Sequence, residues 1–354
     1  MAESFYKSLD IGKDVVATRT LLHEAIPLTG TIVSGTYGVA NIKSYAHGMF
    51  QSVYDYPYLS SSANHIFDIT VGVGSQSALH ASINASGQKS KKLNIYNQMS
   101  QVLVGYDHTG SLQRFDEDGD ILAGGTKLND VIFLNFSRLL TKDEIKKGTF
   151  QLTLGANASN AAPMVKLLDI TDASGSNGFL VNSPVGEYGI LFAKQGTGNP
   201  LSATNVKCGL LFYQAGVCVL TSSILQGLLT TAASASSSGT NSFSDLLTGS
   251  TIDTFANSFR HRINNLQFNN TVELNSSVYF CRINHNEYNY STNPTYLNGS
   301  KIRVKTQSSD LPVSYITTVG LYNDNNELLA TAKLSEPLKK TSDTEFTIRV
   351  RLDY

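Results

Sequence analysis

The chain has 354 residues, of which 41% are hydrophobic and only 16% charged, with 27 Lys plus Arg against 28 Asp plus Glu for a net charge of −1. This apolar content excludes a disordered class, and the charge balance excludes a basic nucleic-acid-binding surface or an acidic solvating tail. A surface this low in charge suits a subunit covered by neighbours, because net charge is what keeps free monomers apart.

The 3 cysteines, Cys208, Cys218 and Cys281, have no C-x-x-C spacing, so they carry neither a disulfide framework nor a zinc signature. Folding in a reducing cytosol is the natural expectation. The opening Met-Ala-Glu-Ser-Phe-Tyr-Lys lacks the charged and apolar regions of a secretory signal. No run reaches the roughly 18 apolar residues of a membrane span.

Residues 1–48 read as an N-terminal arm. Val15, Val16, Leu21, Leu22, Ala25 and Ile26 suggest a short amphipathic stretch ending at Pro27, and Thr29 to Gly38 reads as extended. An arm ordered by docking and an edge strand plus helix of the main domain are both open here. A β-rich body follows at 49–230. Phe67, Ile69, Val71 and Val73 alternate with Asp68, Thr70 and Gly72, the period of a half-buried strand. Lys89 to Lys92 reads as a charged turn, and Tyr96, Met99 and Leu103 predict a short helix at 93–104. Val131 to Phe136 is a compact apolar run. Thr141 and Glu144 have capping-box spacing for a one- or two-turn helix closed by Gly148. Phe150, Leu152 and Leu154 alternate again, and Val165 to Asp169 and Tyr188 to Ala193 are further strands. Lys207 to Tyr213 and Val217 to Thr221, joined by Gln214-Ala-Gly216, form a hairpin.

Residues 231–250, rich in Ser, Ala and Thr, bury nothing and read as a loop or linker. The C-terminal β-rich region at 251–354 begins with Ile252, Phe255, Phe259 and Ile263 at helical spacing behind a Thr251 or Thr254 cap. Val278 to Arg282 is a strand. Tyr315 to Leu321 and Leu328 to Leu334 pair across the Asp324-Asn-Asn326 turn. Phe346, Ile348, Val350, Leu352 and Tyr354 alternate with polar residues to the last position, so the C-terminus is expected inside a sheet. The fold class is therefore mainly β: a β-rich body with few short helices and a C-terminal β-sandwich-like region.

Few residues carry a chemical signature. Asp116-Glu-Asp118-Gly-Asp120 sets hard oxygens at alternating positions, which suits a calcium turn. The EF-hand pattern fails at Ile121 and Lys127, so an exposed acidic turn is the leading reading and no metal or cofactor is expected. None of the 7 histidines falls in H-E-x-x-H, and G-x-S-x-G, a P-loop and G-x-G-x-x-G are all missing. These absences point away from an enzyme. Arg260 and Arg262 flank His261 and suit pairing with acidic groups of a neighbour. Tyr54, Tyr56 and Tyr58, with Tyr288 and Tyr290, are interface candidates, since tyrosine offers contact area and a hydroxyl at small entropic cost. Sheet packing and glycan contact are the competing readings for these tyrosines.

The segment Phe280-Cys-Arg-Ile-Asn-His-Asn-Glu-Tyr-Asn-Tyr-Ser-Thr-Asn-Pro-Thr-Tyr296, the hairpin Tyr315-Ile-Thr-Thr-Val-Gly-Leu-Tyr-Asn-Asp324 with Glu327 to Ser335, and the closing Phe346 to Tyr354 resemble virion structural proteins of tailed bacteriophages. The likeness is to those of marine, T4-like contractile-tailed phages. Ala46 to Leu59 and Phe136 to Gly148 look like the same group. The resemblance implies a non-catalytic, multicopy, homo-oligomeric part of the virion, made in the host cytoplasm, with other virion proteins as partners and neither nucleic acid nor membrane. Within the virion it points to the tail, at the baseplate or fibre-attachment region. A capsid-surface or neck protein and a host-glycan receptor module are the alternatives. The isolated chain is expected to self-associate or to be poorly soluble.

Overall fold

The structure, a computed structural model, describes residues 6–22, 32–33, 39–83, 86–120, 125–155, 167–172, 179–195, 206–222, 243–289, 294–298, 301–302, 309 and 313–354. The chain divides into two compact units. The larger is Leu22–Val272, and the smaller joins Met1–Leu21 to Glu273–Tyr354. The boundary thus falls 22 residues beyond the expected start of the C-terminal region at 251, and the arm divides at Leu21.

A 12-stranded sheet organises the larger unit. Its spatial order is Ile32–Val33, Ile263–Gln267, Gln151–Gly155, Leu167–Thr171, Gly186–Gln195, Val206–Phe212, Val217–Thr221, Asp130–Phe136, His65–Val73, Gln51–Tyr54 and Ile42–Ser44, with Phe179–Ser183 branching from Gly186–Gln195. The central strands are near-continuous apolar runs because both of their faces are covered. Val217–Thr221 is buried at every position, and Val131 to Leu134 are fully buried. Phe67 lies opposite Phe136, whose ring meets Phe150 and Phe268 at 5.9 and 5.1 Å. The predicted hairpin forms with Phe212 opposite Val217, and Gly216 takes the left-handed conformation its turn requires.

Helix α1, Ser86–Leu103, crosses this sheet at Gly72, where an added Cβ would sit 3.0 Å from the Cα of Tyr96. The charged turn expected at 89–92 is instead part of this helix, which starts seven residues before the predicted 93. Lys92 is fully buried there. Its ammonium donates to the carbonyls of Leu247 and Ser250 at 2.6 and 2.8 Å. The capping box at Thr141 also fails. Thr141 ends the single-turn helix α2, Arg138–Thr141, and Glu144–Ile145 is a short strand beside Asn270–Thr271. Lys142 takes φ 55 between them, and Gly148 lies in a turn, donating its N–H to Asp172. Long-range pairing to Asn270 overrode the local cap.

Of the expected linker, 231–242 lies outside the described residues. Helix α3, Phe243–Gly249, occupies most of the rest and buries Leu247. Carbonyls at its C-terminal end have no intrahelical partner, and the Lys92 ammonium donates to those of Leu247 and of Ser250, which follows the helix. Helix α4, Ile252–Arg260, follows as the periodicity predicts, with Thr251 Oγ1 accepting the Thr254 N–H. Ile252, Phe255, Ala256 and Phe259 form its buried stripe.

In the smaller unit, Val15–Leu22, Asn270–Ile283 and Phe346–Asp353 form one sheet. The segment at 15–22 is a strand where the apolar spacing suggested an amphipathic stretch. Its Val, Thr, Arg and Thr residues favour a pleated surface, and the Asp14 carbonyl accepts the N–H of Phe280. Residues 23–31, including Pro27, lie outside the description. Val313–Tyr322 and Leu328–Thr341 form a separate two-stranded hairpin. Ile283, Leu321, Ile348 and Val350 from the two layers form one apolar cluster, the sandwich-like packing expected of the C-terminal region.

Candidate functional site

The acidic turn brings its three carboxylates together. Ligand atoms of Asp116, Asp118 and Asp120 all lie within 4.8 Å of one another. Phe115–Asp116 pairs with Lys127–Leu128, which fixes the register of the turn. Gly119 turns it at φ 74, and its carbonyl accepts Tyr188 Oη at 2.9 Å and Asn182 Nδ2 at 3.0 Å. Two lysines face the cluster. Lys127 Nζ pairs with the buried Asp116 carboxylate, and Lys207 Nζ stands 3.9 Å from Asp118. Burial raises the Asp116 carboxyl above its ordinary value against the pull of Lys127, while hydrogen bonding with Asp116 holds Asp118 low. Lys127 already supplies, inside the fold, the positive charge that a buried carboxylate demands.

The Tyr54, Tyr56 and Tyr58 group sits at the end of the Gln51–Tyr54 strand. Asp55 shapes the turn that follows. Its carboxylate accepts the backbone N–H groups of Tyr56 at 2.8 Å and Asn64 at 2.6 Å, and the Asn64 amide at 2.9 Å. The N–H of Tyr58 is tied to the Ala40 carbonyl at 3.1 Å. The turn is thus ordered from both sides, and it holds Tyr56 and Leu59 outward, 59% and 86% exposed. Tyr58 is exposed beside them. Tyr54 is half-buried, 5.5 Å from the His65 ring and 6.3 Å from Tyr58, and burial raises its hydroxyl. A fixed turn presenting apolar side chains binds with little ordering cost.

Beneath this turn lies a polar group that the sequence did not flag. Asp68 Oδ1 accepts Ser52 Oγ at 2.5 Å and contacts His65 Nε2 at 2.8 Å, and Tyr45 Oη lies 3.3 Å from Ser52. Ser52 is directly opposite Asp68 in the ladder, so strand register brings it to the contact that Asp68 makes with His65 on its own strand. The carboxylate stands between serine and histidine. The serine hydroxyl donates to Asp68 rather than to an imidazole base, which leaves it without the activation a nucleophile needs. Lys43 Nζ covers the Tyr45 ring at 4.9 Å, and Tyr45 stacks on His47 at 5.2 Å.

Arg260 and Arg262 lie inside the chain's own fold. Both are buried, 2% and 1% exposed, where α4 turns into the Ile263–Gln267 strand. Arg260 Nη2 hydrogen-bonds Asn257, and the Arg262 carbonyl accepts the Gly155 N–H at 2.7 Å. Burial and the two guanidinium groups push His261 down to about 4. Tyr288 is exposed at φ 53 in a loop that Lys340 clamps, its ammonium on the His285 carbonyl at 3.0 Å and on Asn289 Oδ1 at 2.7 Å. Tyr290 lies outside the described residues.

A void lined by Leu103, Val104, Asp116, Ser183, Tyr188, Leu210 and Phe212 has room for about one water molecule. The Cys208 and Cys218 thiols are buried, which raises both well above the range of a reactive thiolate. No helix is long and apolar enough to cross a membrane among the described residues. No family model, no curated protein and no solved structure matches this chain.

Proposed function

We propose that the chain is a non-catalytic structural subunit of a tailed-phage virion, working through protein–protein interfaces in the tail at the baseplate or fibre-attachment region. The observation that carries the interface reading is the preset turn at 55–64. Asp55 spends its carboxylate on holding the backbone, and the turn displays Tyr56, Tyr58 and Leu59 to solvent. The low charge of the chain fits the same reading. Placement in the virion rests on the sequence resemblance above. The central carboxylate of the Ser52–Asp68–His65 group and the buried cysteines support a non-catalytic role.

Quantitative mass spectrometry of purified particles, intact and stripped of tails, tests the proposal. A copy number that is a multiple of three or six and disappears with the tails is expected. Hundreds of copies retained on heads would move the subunit to the capsid, and its absence from particles would overturn the virion reading.

A further inference from the structure

The two strands of the Val313–Tyr322/Leu328–Thr341 hairpin have opposite characters. Among the described residues, each pairs only with the other, so each leaves one edge open. Leu328–Thr341 carries the devices that keep an edge from pairing. Lys333, Glu336, Pro337 and Lys339 are exposed along it, and its register against the partner slips between Leu338 and Lys333. Val313–Tyr322, Val-Ser-Tyr-Ile-Thr-Thr-Val-Gly-Leu-Tyr, has no charge and no proline, and it is made of residues that favour strands. An edge of this composition and length is a template for another strand.

Its burial pattern points to which strand. Ser314 and Leu321 are buried, Tyr315 and Gly320 are exposed, Ile316 and Val319 are half-buried, and Thr317 and Thr318 are exposed. Read outward from the 317/318 bond, the two directions match, and only the end residues Val313 and Tyr322 differ. The register irregularity between Ile316 and Thr318 produces this mirror symmetry by reversing the alternation mid-strand. A two-fold contact requires a self-complementary surface. Antiparallel pairing about that point sets buried Ser314 against Leu321, half-buried Ile316 against Val319, and exposed Thr317 against Thr318. Tyr315 then covers Gly320 of the other copy. Each of these pairs keeps inward residues with inward and outward with outward, and no like charges meet.

We propose that the free edge of Val313–Tyr322 pairs antiparallel with the same edge of a second copy of this chain, about a two-fold axis between Thr317 and Thr318. This deepens the subunit reading by naming one neighbour as the chain itself. It stands or falls in solution, apart from the particle measurement above.

The test uses the full chain. Hydrogen exchange is followed with increasing concentration, beside sedimentation. A dimer is expected, with amide protection growing along 313–322 and unchanged along 328–341. The double variant Thr317→Lys/Thr318→Lys sets like charges opposite one another and should weaken the dimer about tenfold or more. Thr317→Asp/Thr318→Asp should weaken it similarly, and mixing the two variants should restore pairing, which misfolded chains would not do. A wild-type monomer at high concentration overturns the proposal. So does a dimer whose 313–322 amides stay unprotected, or one that forms equally well with the lysines. Protection of this strand only within particles would assign the edge to a different virion protein and also overturns it.

Discussion

Lys92 gives the sharpest stability experiment. Burial pushes its ammonium from 10.5 down to about 8, with two helix-end carbonyls at 2.6 and 2.8 Å as its acceptors. Between pH 8 and 10.5 the unfolded chain keeps this proton while the folded chain gives it up. Folding therefore releases a proton in that window, and stability rises with pH. Two and a half pH units at about 1.4 kcal/mol each set the full effect at about 3 kcal/mol, a ceiling reached near pH 10.5 and absent below pH 8. Tyrosine and lysine side chains in an unfolded chain ionise near pH 10, so the measurement is a difference. Urea unfolding of the wild type and of Lys92→Met is compared at several pH values from 7.5 to 10.5 by far-ultraviolet circular dichroism. The methionine keeps the apolar stem and removes the titration. Wild-type stability relative to the variant should climb across the window. A flat or falling difference would show that the Leu247 and Ser250 carbonyls hold the ammonium firmly enough to cancel burial, and the reasoning would be wrong.

Lys127→Met should destabilise the larger unit by about 3 kcal/mol or more, because it strands the buried Asp116 carboxylate. The double variant with Asp116→Asn should recover much of that loss, as read from urea midpoints. His261, held at about 4 when folded, gains its proton on unfolding as the pH falls from 6.5 towards 4. Stability should drop through that acid window, and His261→Gln should flatten the drop. Tyr213→Phe removes a 2.9 Å hydrogen bond to the buried Asp172 and should cost about 1–2 kcal/mol in chemical denaturation. Asp55→Ala should leave the thermal midpoint nearly unchanged, yet open the 55–64 turn to limited proteolysis and reduce incorporation into particles.

The sequence disclosed those elements whose period and burial agree. Phe67 to Val73, the 207–221 hairpin, α4 and the C-terminal alternation each expose one physical pattern, and each forms as read. The failures share a cause: a distant partner decided the local conformation. Lys89 to Lys92 looks solvated until the carbonyls at the end of α3 are brought to Lys92. Thr141 and Glu144 have helical spacing, but Thr271 draws Glu144 into a ladder. Arg260 and Arg262 resemble a surface knot because the covering strands are remote in sequence. Of the candidate sites, the acidic turn was legible in its spacing, whereas Lys207 was not. The tyrosine turn was visible as composition, but Asp55's grip on Asn64 depends on a loop closure that no residue pattern announces. Ser52 meets Asp68 and its contact with His65 only through register.

The smaller unit is assembled from both ends of the chain, Met1–Leu21 and Glu273–Tyr354. During synthesis its first strand leaves the ribosome well before its neighbour, with roughly 250 residues to be translated between them. Closing a loop of that length costs only modestly more entropy than closing a short one, so the delay is one of timing rather than stability. Phe346–Asp353, which lines the far side of the shared strand, is made later still. A nascent chain that stalls early can therefore complete the larger unit but not the smaller one. The Val313–Tyr322 edge would then be withheld until Phe346–Asp353 has been made, and only chains carrying that strand would enter assembly through it.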